Sequence, residues 1–140
     1  MTKEKTFDKQ SAAMIANQHQ KLQQIRDHYS NAPERFLAAW KRAIKIIGPA
    51  YFQCTGVDNY EAATDKDQIR PNNDAIEERI NVCSVCEGVF IGVVMSFFND
   101  KWGSGICDAF EYHGVGGAAN RLEIEQMEIV VELFNSHTGW

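Results

Sequence analysis

The chain has 140 residues, 44% of them hydrophobic and 24% charged, with a net charge of −5. A chain of this size buries roughly 68–70% of its unfolded surface, so it can build a single-domain core without disulfides or a structural metal. The acidic balance disfavours the whole molecule as a general nucleic-acid binder, because that affinity rests on neutralising phosphates, but leaves room for a local basic face.

The charge is unevenly spread. Residues 1–48 hold nine Lys/Arg against four Asp/Glu, and residues 49–140 hold five against fifteen. Such a split either draws the two halves together or steers a charged partner. The first residues are polar and lack the apolar segment of a secretion signal. The most apolar run, Val82–Phe98, is interrupted by Ser84, Glu87 and Ser96 and falls short of the ~18 residues of a membrane span. Four cysteines without a secretion signal fit reduced thiols, so the expected setting is cytoplasmic, with no membrane partner.

Residues 1–9 are charged and unpatterned and read as a flexible tail ahead of one helical domain, 10–140. A first helix is expected from Gln10 to Tyr29. Ile15, Gln18, Leu22, Ile25 and Tyr29 follow a three-four spacing that draws a narrow apolar seam, too short to specify a coiled coil. A second helix is bounded by Ser30 or Asn31 as cap, Pro33 in the first turn and Gly48-Pro49 as stop. Its apolar face is Phe36, Leu37, Trp40, Ala43, Ile44 and Ile47. Its opposite face, Arg35, Lys41, Arg42 and Lys45, is a solvated basic surface or a dock for an acidic protein or nucleic acid.

Residues 49–73 lack a strong period and read as a long, partly irregular connection that hides short helical turns or forms a functional loop. Asp65-Lys66-Asp67 does not continue as a calcium loop, since Ile69 and Arg70 stand where a ligand and a glycine are needed. Asp74 with Glu77 reads as a capping box, and Ser84 with Glu87 as a second one, so the helical run is expected to restart at Ser84 and reach Phe98. Gly88 and Gly92 on that helix are expected to admit a close neighbour. A turn at Asn99–Gly105, a short helix Ile106–His113 and a flexible link precede a last helix, Asn120–Asn135. That last helix is apolar over an arc of roughly 220°, wider than one buried face requires. It belongs at the centre of the fold or under a second subunit. Glu125, Glu128 and Glu132 share the narrow acidic remainder. Trp140 is a candidate anchor onto the body.

No pattern here fixes a reaction. Cys83-x-x-Cys86 with Cys54 and Cys107 offers a four-thiolate zinc set, but only one pair is close in sequence, and small buried thiols are the simpler reading. Gly114-x-Gly116-x-x-Ala119 resembles a dinucleotide loop without the chain length to complete the βαβ unit. His113, with Glu111, Asp108 and Cys107, is the densest chemical neighbourhood.

The sequence therefore predicts an all-α bundle of four to five helices, with the helices at Val85–Phe98 and Leu122–Phe134 as the core pair and the Phe36-Trp40-Ile44 helix across them. The leading functional expectation is a non-enzymatic, homodimeric protein-interaction module without a cofactor. The alternatives are a small acidic inhibitor or decoy of a nucleic-acid-handling protein, of the phage or mobile-element kind, and a thiol or zinc domain.

Overall fold

The computed structural model describes residues 2–111 and 114–140, with side chains from residue 8 onward. Tyr112 and His113 lie outside the described residues. Two units are distinct, Met1–Asn31 and Ala32–Trp140.

The first unit is a single helix, α1 (Thr2–Ser30). It begins well before Gln10, so most of the stretch expected as a tail continues the helix, and the division of the chain falls at Asn31. Helix extension is cheap once a nucleus exists, which explains why an unpatterned polar start can still be helical. The described side chains of α1 are exposed apart from half-buried Ser11.

The second unit carries a mostly helical fold, as the hydrophobic pattern implies. α2 (Ala32–Ile47) buries Phe36, Ala39, Trp40, Ala43, Ile44 and Ile47 along one side. Gly48 ends it with φ +123°, a backbone conformation that side chains rarely adopt, and donates its N–H to the Ile44 carbonyl at 2.8 Å.

The connection that follows is ordered by local caps. Short 3₁₀ turns at Pro49–Tyr51, Tyr60–Ala62 and Lys66–Gln68 flank two strands, β1 (Phe52–Cys54) and β2 (Ile69–Pro71). The strands pair antiparallel, with Phe52 opposite Pro71 and Cys54 opposite Ile69. Among the described residues this small ribbon is the one departure from an all-helical reading. Three-residue strands carry too little alternation to be seen in a sequence. Asn59 accepts from the Ala62 N–H, and Asp65, read above against a calcium loop, caps its turn jointly with Gln68. Trp40 Nε1 donates to the Ile69 carbonyl at 3.0 Å, tying the ribbon to α2.

α3 (Asn73–Val82) is capped by Asn72 rather than Asp74: Asn72 is extended and its side chain accepts from the Ala75 N–H at 3.1 Å. α4 (Val85–Phe98) starts where expected, with the Ser84 hydroxyl accepting from the Glu87 N–H at 3.2 Å. The Glu87 carboxylate does not close the box; it accepts from Arg79 at 2.8 Å instead.

α5 (Asp100–Ala109) overturns the expected turn at Asn99–Gly105. Asn99 caps it through the Trp102 N–H. Gly103 is required because α5 lies very close to α4 there: a Cβ on it would overlap the Ser96 backbone. Gly88 and Gly92 serve the same approach from α4. A Cβ on Gly88 would fall within the Phe110 ring, and one on Gly92 would lie 2.7 Å from the Cys107 sulfur. The expected close packing at these glycines is therefore present, and its partner is α5.

α6 (Val115–Ala119) replaces part of the expected flexible link, and α7 (Ile124–Ser136) completes the fold. The expected core pair is corrected. α4 packs chiefly on α5, and α7 packs chiefly on α2. Trp140 does anchor the C-terminus, with its ring 4.8 Å from Trp40, 5.0 Å from Phe98 and 5.9 Å from Phe36. Among the described residues no helix is long and apolar enough to cross a membrane.

Candidate functional site: the outer face of the last helix

The basic and acidic surfaces expected to dock partners face each other. Arg35 on α2 forks onto Glu132 on α7, with Nε to Oε1 at 2.8 Å and Nη2 to Oε2 at 3.3 Å. Arg42 reaches Glu128 at 3.6 Å. These pairs follow from the α2–α7 packing, which brings together residues far apart in the chain. The Glu132 carboxylate raises the Arg35 pKa, first through the hydrogen bond. Lys41 is occupied elsewhere: its ammonium donates to the carbonyls of Glu61 at 2.9 Å and Ala63 at 2.6 Å. Lys45 and Glu125 stay exposed. Three of the four residues of the expected basic face thus have partners within the unit.

The thiols are dispersed in environment and in role. All four are free; Cys54 and Cys86 are exposed, Cys83 is half-buried and Cys107 is buried. Among the described residues no group of three or more His, Cys, Asp or Glu side chains is placed to hold a metal. The Cys83 thiol donates to the Ile80 carbonyl. Burial, aided by Asp108, pushes the Cys107 thiol up to about 11, so it stays protonated and a poor nucleophile at neutral pH. The neighbourhood expected around His113 falls partly outside the described residues.

A different surface stands out. α7 has two apolar sides. Ile129 and Leu133, with Gln126 and Ser136, face the core. Ile124, Met127, Val131 and Phe134 follow each other at three-four-three spacing on another side. Of these, Ile124 is 81% exposed, Phe134 77% and Val131 50%, while Met127 is half-buried. α2 covers only the first side, so the wide apolar arc is split between core and solvent.

The exposed side opens into a groove of about 660 Å³ between α4, α5, α6 and α7. Val93 and Phe97 of α4, Ala118 of α6, and Met127, Val130 and Phe134 of α7 give it apolar walls. Val115, 85% exposed, stands at its edge. Asp100 and Ser104 line the α5 side. His137 also lines it, its ring 5.6 Å from Phe36 and 5.4 Å from Phe97, with Nε2 buried and without a hydrogen-bond partner among the described residues. The lining suits recognition of apolar side chains. Cys107 and Asp108 also line it, the Cys107 thiol held protonated by burial.

The excess apolar arc on α7 was readable in the sequence; which half of it stayed exposed was not. The three-four-three spacing of Ile124, Met127, Val131 and Phe134 was the available signal. Val93, Phe97 and Val115 gave none, because their role depends on α5 and α6 standing beside α7.

Comparison of the chain with protein-family models, with curated proteins and with solved structures finds no match.

Proposed function

We propose that this chain is a non-enzymatic protein-interaction module that pairs with a second copy of itself, using the outer face of α7 and the groove beside it. The observation that carries this reading is the exposed row Ile124, Val131 and Phe134, which meets the apolar groove at Phe134. Contiguous exposed apolar surface of this kind mostly marks a binding face, because leaving it in water forgoes roughly 25 cal/mol for each Å² that a partner would cover. Grooves with such walls take the apolar side of an amphipathic helix.

The acidic-decoy alternative draws on Glu125, Glu128 and Glu132. Arg42 and Arg35 already engage two of these, so less free charge supports it.

Sedimentation of the full chain tests the reading. Twice the chain mass is expected at micromolar to hundred-micromolar concentration. Val131→Gln with Phe134→Gln is expected to return the monomer with an unchanged circular dichroism spectrum, since both side chains are exposed. A wild-type chain that stays monomeric throughout that range sinks the reading.

A further inference from the structure

We infer that what occupies the α7 groove is helix α1 of the second copy, each chain placing its N-terminal helix on the other's last helix. This rests on the homodimer reading above and names the segment that makes the contact.

The first observation is the uncovered seam of α1. Ile15, Leu22, Ile25 and Tyr29 are each about half exposed, at 53%, 51%, 54% and 51%. A long helix in water draws most of its stability from packing an apolar face, and α1 buries none of its described side chains. Its seam therefore calls for a partner.

The second observation is spacing. The α1 seam steps by three and four residues, and so does the exposed row on α7. At 1.5 Å per residue the two rows run about 21 Å and about 15 Å. Two such rows interlock at the shallow crossing angle of three-four packing. The α1 side chains then act as evenly spaced anchors into the groove.

Charge selects which helix meets which. Over the seam's reach, residues 9–29 of α1 contain Lys9, Lys21 and Arg26 against one acid, Asp27. Residues 122–140 contain four Glu and no Lys or Arg; Arg42 and Arg35 engage Glu128 and Glu132, and Glu123 and Glu125 stay exposed for a partner. Pairing α1 with α1 sets like cations along one seam, and pairing α7 with α7 sets glutamates against glutamates. The α1–α7 pairing sets opposite signs together. A twofold axis then repeats the contact, doubling a surface that would be modest once.

A mixing experiment on full-length chains separates the possibilities. One variant carries Leu22→Gln and Ile25→Gln; the other carries Val131→Gln and Phe134→Gln. Each alone is expected to dimerise at least about a hundredfold more weakly than wild type, as expected for two apolar anchors lost from each contact. Mixed in equal amounts, they are expected to form a heterodimer at least about tenfold tighter than either self-pair, because the intact α1 of one meets the intact α7 of the other. Raising salt is expected to weaken the wild-type dimer severalfold. A Leu22/Ile25 variant that dimerises like wild type overturns the inference and leaves the homodimer reading standing. Two monomeric variants that fail to complement each other also overturn it. A monomeric wild type overturns both.

Discussion

At the scale of single residues, three glycines and one thiol set the packing of α4 against α5. Gly103 has no room for a methyl group because backbone, not a flexible side chain, fills the space. Gly103→Ala is expected to cost at least about 1–3 kcal/mol of stability, the usual penalty for overpacking, and to lower the Tm by several degrees in thermal unfolding. Gly105, which meets nothing nearby, is the control and is expected to tolerate alanine. Cys107 sits under Gly92 and titrates late. Its pKa is raised on folding by burial first and Asp108 second, so the fold favours the neutral thiol. That contribution is fully present below the ordinary thiol range and is lost as pH rises through about 11. Chemical denaturation between pH 8 and pH 11 is expected to show a steeper loss of stability for wild type than for Cys107→Ala. In the same range the exposed Cys54 and Cys86 are expected to react with a thiol reagent well before Cys107.

At the scale of elements, local signals were legible and pairings were not. Ser84 starting α4 and Gly48 ending α2 could be read because a cap is decided within one turn of chain. The seam of α1 and the core face of α2 could be read because a period of 3.6 residues repeats along the helix itself. α5 was hidden, since Lys101-Trp102-Gly103-Ser104-Gly105 reads as a turn until α4 is placed against it. The β1–β2 ribbon was hidden because its strands lie far apart in the chain and are short. That ribbon and its flanking turns are held from α2 by Lys41 and Trp40. Lys41→Met keeps the aliphatic stem and removes both ammonium bonds. Hydrogen exchange in residues 59–71 is expected to speed up on the order of tenfold, while the α2–α7 contact keeps its protection. Uniform loss of protection across the unit would show instead that Lys41 supports the whole core.

At the scale of the whole molecule, the split of charge seen in the sequence has two destinations. Part of it is spent within Ala32–Trp140, where Arg35 and Arg42 meet Glu132 and Glu128. Surface pairs of this exposure add little to stability, so their main effect is to orient α2 and α7 and to occupy those charges. The rest separates Met1–Asn31, with five Lys/Arg against three Asp/Glu, from the remainder, with nine against sixteen. That residual complementarity is what the proposed exchange of α1 between two copies would use. Because a dimer is stabilised by mass action, the homodimer reading also requires the Tm of wild type to rise with protein concentration and that of the Val131/Phe134 variant to stay constant.

By itself the sequence determined a mostly helical fold, the Ser84 start of α4 and the Gly48 stop of α2, the seam on α1 and the excess of apolar surface on α7. Each of these is written in short-range spacing, which the backbone geometry of a helix converts directly into a face. Only the tertiary structure decided that α4 lies against α5, that the arginines of α2 neutralise glutamates of α7, and that Ile124, Val131 and Phe134 remain in water. Those outcomes depend on which neighbour covers which face. Apolar burial is non-directional, so a pattern can mark a face for covering without specifying its cover.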